Sequence, residues 1–226
     1  MKREAVRITI GVTAAVVAVA LLVALPPRGP RSMKQFNAAR LAALELRMWQ
    51  AYYGKERVRL FALLVTMLHE QYHYSWATAT AEGFHLARAA ATFGDLRSNY
   101  DAVLPDLEAA YGRAKEWLNA GFDPRAVARA ELAWWVARRI PGQDGTDQVG
   151  DLIADEYALL YETPRERVVT SAHLRAEAAA LRDAEAAEPD WDTIGRLLRQ
   201  SYEELLQAFS QASASRAPPE GLRTGV

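Results

Sequence analysis

The residues of this chain best placed to do chemistry are His69-Glu70-Gln71-Tyr72-His73. On an α-helix, positions i and i+4 lie one turn apart on the same face, so the two imidazoles can hold one metal ion. A glutamate beside them can take a proton from a metal-bound water, which would make the segment a metal-assisted hydrolytic site. Such a site needs a third ligand. Asp151 and Asp155 are the candidates, one helical turn apart in Asp151-Leu152-Ile153-Ala154-Asp155-Glu156-Tyr157-Ala158.

The pentapeptide matches the HExxH pattern of zinc peptidases, and residues 151–158 resemble the ExxAD helix of one membrane-associated branch of them. The resemblance implies zinc as cofactor, His69 and His73 as ligands, Glu70 as general base, and Asp151 or Asp155 as third ligand. Asp151 stands where that family carries glutamate. The two segments cover fewer than twenty residues. Members of that class also bind the substrate backbone along a β-sheet edge ahead of the motif helix, where this chain has only helical sequence.

A plainer reading of the same helix is stronger. At about 100° per residue, His69 and His73 share a stripe with Lys55, Ala62, Thr66 and Thr80, while Leu60, Phe61, Leu63, Leu64 and Met67 gather elsewhere. That is the polar face of an amphipathic helix. Glu70-x-x-His73 and Glu82-x-x-His85 also fit the ligand spacing of carboxylate-bridged di-metal bundles, with Glu45 and Glu131 as lone carboxylates. Twelve residues apart on one predicted helix, the two units are too far separated to meet at one centre.

A second constellation is Glu131, Trp134, Trp135 and Arg138, on one face of the helix that Asp123-Pro124 opens. The i, i+4 spacing lets Arg138 stack on Trp134. Tryptophan on a helix usually fills a core, so a shielded ion pair is favoured over the alternative, a contact surface of the kind Trp and Arg dominate.

The elements that must position these groups are helical. Alanine, leucine, arginine and glutamate dominate, and no alternation of β-branched residues persists. Asp123-Pro124 and Thr163-Pro164-Arg165-Glu166 place a cap ahead of a first-turn proline, and Asp190 can cap a further helix. Gly54 and Gly94 mark helix ends. The spacing predicts helices over 33–53, 55–93, 99–119, 124–140, 147–162, 164–186 and 190–210, the second breaking near Gly83. Pro141–Gly145 reads as a loop and 211–226 as a disordered tail. The fold class is all-α: a bundle of about six or seven helices, residues 33–210, behind one N-terminal transmembrane helix.

That helix is expected over Ile8–Leu25, eighteen uncharged residues after a basic start, residues 1–7, with Lys2, Arg3 and Arg7. Eighteen residues is the lower limit for crossing about 30 Å of hydrocarbon. A cleaved signal peptide competes, but Leu22 is poorly suited to the position two before Ala24, so an uncleaved anchor followed by a linker, 26–32, is favoured. Positive charges are nearly balanced across the run. A large C-terminal domain after such an anchor places it on the periplasmic or extracellular side.

Lys2, Arg3, Arg7, Arg28 and Arg31 against Glu4 put residues 1–31 at +4, so with −1 overall the remainder carries −5. A mildly acidic domain is a poor partner for phosphate backbones, which excludes nucleic-acid binding. The chain has no cysteine, so no disulfide or thiol chemistry arises. The expectation is a membrane-anchored accessory, scaffold or interaction component without a cofactor. Its partners would be the membrane, through residues 8–25, and another membrane or periplasmic protein. The alternative is the zinc hydrolase.

Overall fold

A computed structural model describes residues 20, 23–27, 31–184 and 187–214, with backbone only over 211–214. Most of Ile8–Leu25 lies outside them, as do residues 1–7 and 215–226. Among the described residues no helix is long and apolar enough to cross a membrane.

The described residues are all-helical, with no strand. In chain order the elements are α1 (Ala38–Tyr53), α2 (Arg57–Gln71), α3 (Trp76–Asp95), a 3-10 turn (Tyr100–Val103), α4 (Leu104–Leu118), α5 (Pro124–Ala137), α6 (Thr146–Leu160), α7 (Arg165–Ala184) and α8 (Trp191–Ala214). They group into two compact units. The first comprises the described residues up to Met33 with Arg47–Ala120; the second comprises Lys34–Leu46 with the described residues from Gly121.

Local capping chemistry sets most boundaries. Asn37 accepts a 2.9 Å hydrogen bond from the Arg40 amide, so α1 starts at Ala38 rather than 33. Asp123 accepts from the Arg125 amide at 3.0 Å, with Pro124 at the first helical position. α7 follows Pro164 as expected, although the Thr163 hydroxyl donates back to the Tyr161 carbonyl at 2.9 Å. Asp190 holds α8 by accepting from the Thr193 amide at 2.9 Å and from the Thr193 hydroxyl at 2.5 Å. Asp190→Ala is therefore expected to cost about 1 kcal/mol, the usual value of such a cap. A denaturation midpoint followed by circular dichroism checks it; an unchanged midpoint would show that α8 needs no cap.

Two expected boundaries are corrected. The long helix 55–93 is two helices, broken at Tyr72–Ser75 and not at Gly83, which makes eight α-helices among the described residues rather than six or seven. Ser75 caps α3 by accepting from the Thr78 amide at 3.1 Å, and His73 turns the chain with a left-handed φ of 55°. Histidine tolerates that region better than most side chains. Gly83 instead lets α2 and α3 approach: a Cβ there would stand 3.0 Å from Val65 Cγ2. At the other end, α8 continues to Ala214, four residues into the expected tail.

In the first unit α2 and α3 pack as a hairpin, and α3 packs on α4. Val65, Leu68, Tyr74 and Ala79 form a buried cluster, with Phe61, Leu64, Tyr72, Leu86 and Trp117 against it. In the second unit α6 packs against both α5 and α7, and α7 against α8. Its core includes Ile153, Val168, Ile194, Leu198 and Leu205, all essentially without exposure. α7 presents Ala172, Ala176 and Ala179 to that core, small side chains that permit close helix contact.

Candidate functional site

The α2–α3 turn determines what the HEQYH segment can do. α2 ends at Gln71, so His69 and Glu70 are helical while His73 lies in the turn. The two imidazoles therefore do not share one helical face. The His69 Nδ1 is 2.6 Å from the Tyr74 carbonyl oxygen. A carbonyl only accepts, so Nδ1 carries the proton there. The His69 ring also stacks on Trp76, with centroids 4.0 Å apart and planes 15° from parallel. This donor set does not fit the two-histidine zinc site that the sequence pattern implies, because that site requires a continuous helix through residue 73. Among the described residues no cluster of three metal-ligating side chains occurs.

Asp151 and Asp155 belong to the second unit and share one cation. Arg165 donates from Nη2 to Asp151 Oδ1 at 2.6 Å and from Nε to Asp155 Oδ1 at 2.7 Å. His173 Nε2 is 3.3 Å from the same Asp151 oxygen. Hydrogen bonds from Arg165 and then His173 hold the Asp151 carboxyl below its ordinary range. Both carboxylates are about half exposed. The arrangement is a surface bridge between α6 and the first turn of α7.

The second ExxH unit, Glu82 and His85 on α3, joins a network in the first unit. Glu82 is 1 % exposed. Arg113 Nη1 stands 2.9 Å from its Oε1 without the alignment of a hydrogen bond, and Oε2 accepts none. Burial accordingly raises the Glu82 carboxyl, against the opposing charge of Arg113. Arg113 Nη2 lies 3.3 Å from His85 Nε2, and His85 Nδ1 lies 3.1 Å from Asp106 Oδ1. Since arginine only donates, His85 accepts at Nε2 and donates at Nδ1. Arg88 also clamps Asp106, and its hydrogen bond is the main reason that carboxyl is held low.

Of the tryptophan constellation, Trp134 points into the core. It is buried, and its Nε1 donates to Glu156 Oε2 at 2.6 Å. Trp135 packs edge-on against it, with centroids 6.1 Å apart, and is half-buried. Arg138 pairs with Asp183 at 2.7 Å. Arg175 lies over the Trp134 ring, 5.0 Å from its centroid. Arg138 and Asp183 also border a cleft of ≈ 280 Å³ floored by Ala176, Ala179 and Ala180.

The most concentrated electrostatics surround Glu45, which the sequence pattern singled out only as a lone carboxylate for a di-metal bundle, and Arg175 and Glu156, which it did not. Glu45 on α1 is 3 % exposed and accepts from Arg175 Nε and Nη2 at 2.9 and 2.6 Å, both on Oε1. Its Oε2 accepts from the Tyr202 hydroxyl at 2.7 Å. Glu156, 5 % exposed, lies in the same core, and its carboxyl is pushed up to about 8. The first cause is burial and the second is the Glu131 charge, opposed by Arg175 and by the Trp134 hydrogen bond. Burial also raises the Tyr157 and Tyr202 hydroxyls, which keeps both neutral. The network can hold a proton on Glu156 at neutral pH. The available signal was glutamate among apolar neighbours on both α1 and α6.

No protein-family model, curated protein or solved structure matches this chain.

Proposed function

We propose that the chain is a single-pass membrane protein whose helical part stands on the non-cytoplasmic side, periplasmic or extracellular. It acts there by protein contact, as an accessory, scaffold or assembly component. The observation that carries this reading is Ile8–Leu25, eighteen residues without a charge behind Lys2, Arg3 and Arg7. Val23 and Leu25, at the end of that run, are 42 % and 59 % exposed, which supports a partner other than the chain's own core. The reactive-looking groups are committed to internal contacts: His69 to Tyr74, Asp151 and Asp155 to Arg165, Trp134 to Glu156. Such commitments suit a rigid contact module better than a hydrolase built on His69, Glu70 and His73. Val58 and Phe84, 86 % and 58 % exposed, are apolar positions at which a protein partner would gain by burying them.

Carbonate extraction of membranes from cells making the full chain tests the anchor. The chain is expected to stay with the bilayer, and Val17→Asp is expected to release most of it, because a carboxylate at mid-membrane costs about 3 kcal/mol. Protease added to intact and opened cells reads the side. Full release of the unmodified chain by carbonate would sink the proposal.

A further inference from the structure

We infer that the α2–α3 turn, residues 72–76, together with Trp117 and Arg31, is a lipid-contacting face that seats the first unit on the bilayer interface. The inference rests on the anchored reading above and adds the surface that touches lipid.

The first observation is where the chain enters the unit. The Arg31 guanidinium lies 3.9 Å above the centre of the Trp117 ring, a cation–π contact. Only six residue steps separate Arg31 from Leu25, so even a fully extended chain places the Arg31 backbone within about 22 Å of the end of the apolar run. An anchored run therefore keeps this end of the unit beside the membrane.

The second observation is what this end is made of. Trp117 Nε1 donates to the Tyr72 carbonyl at 2.9 Å, and its ring meets Tyr74 edge-on at 5.7 Å. Tyr72 and Tyr74 stack at 5.5 Å, and His69 stacks on Trp76. Four Trp and Tyr rings, one histidine and one arginine thus gather at the turn. Tyr74 is buried, whereas Tyr72 and Trp117 are half-buried and Trp76 is 39 % exposed. Rings with an apolar body and a polar edge are the side chains that settle at the headgroup level of a bilayer. A turn capped by Ser75, with a left-handed His73, presents Trp76 and the open edges of Tyr72 and Trp117, while buried Tyr74 fixes them from within. This gives the HEQYH segment a role in place of metal ligation: its second half forms the turn that carries the aromatic rings.

The test uses the full chain, which has no cysteine and so accepts one label cleanly. A fluorophore is placed at Ala77→Cys beside Trp76, or at Val58→Cys, about 20 Å away along α2 at 1.5 Å per residue. Each protein is reconstituted into vesicles of phosphatidylcholine and phosphatidylglycerol carrying a headgroup-region quencher, and retention of helix is verified by circular dichroism. About a twofold loss of emission at position 77, with little at 58, is expected for a site at interfacial depth. Protein that floats with the vesicles but is unquenched at 77, or equally quenched at both sites, overturns the seating while leaving the anchor intact. Protein that fails to float overturns the anchor and the seating together.

Discussion

Arg175→Met is expected to destabilise the second unit by about 3–5 kcal/mol, the usual cost of leaving one buried charge without its partner. The guanidinium makes two hydrogen bonds to one oxygen of Glu45, whose side chain is only 4 % exposed. Without it Glu45 keeps a single bond, from the Tyr202 hydroxyl. Glu45 is too enclosed to regain both donors from solvent unless the packing around it opens. The aliphatic stem of methionine fills much of the vacated volume, which limits the cavity contribution. The cation over Trp134 is lost too, a smaller term. Urea unfolding followed by circular dichroism measures the loss. The double variant Glu45→Gln/Arg175→Met is expected to recover more than half of it, because the orphaned charge is gone. A double variant no better than Arg175→Met would mean that packing, not charge, sets the cost.

Stability is expected to fall as pH rises, through Glu156. Its carboxyl titrates near 4.5 when unfolded and at about 8 in the folded unit. A folded value above the unfolded one means that the folded state binds the proton more tightly. The contribution is therefore complete below about pH 4.5 and is lost progressively until pH 8. Within that window the slope approaches 1.4 kcal/mol for each pH unit. The carboxyls held low, Asp106, Asp151 and Asp190, have the opposite sign and act at more acidic pH, below this window. Glu156→Gln keeps an oxygen for the Trp134 Nε1 and removes the titration. Its unfolding free energy is expected to decline less steeply than that of the unmodified chain over this window, the remaining fall coming from Glu82, whose carboxyl burial also raises, and to exceed it above pH 8. Parallel pH profiles would place the burial cost on another group.

The two predictions concern a site that pattern reading passed over, and the reason is physical. Glu45 and Arg175 are 130 positions apart, as are no two residues that helical periodicity can relate. Each looks like an ordinary charge on an amphipathic helix until α1, α7 and α8 are brought together. Trp134 was legible as a core residue, since an indole on a helix is costly to expose, but its partner Glu156 was not. The HEQYH segment failed differently. Its spacing carries meaning only on a continuous helix, and Tyr72-His73-Tyr74 are weak helix formers followed by Ser75, a strong cap. The stop signal is present in the sequence and overlaps the motif.

What the sequence determined by itself is local. Helical content, the starts at Pro124, after Pro164 and after Asp190, and the ends beside Gly54 and Gly94 follow from propensity and from which nearby side chain satisfies a free amide. Only the tertiary structure decided the division into two units, the reversal of the chain at His73, and the enclosure of Glu45, Arg175 and Glu156. Each of those depends on desolvation by helices distant in sequence, and desolvation is a property of the packed neighbourhood that no single residue carries.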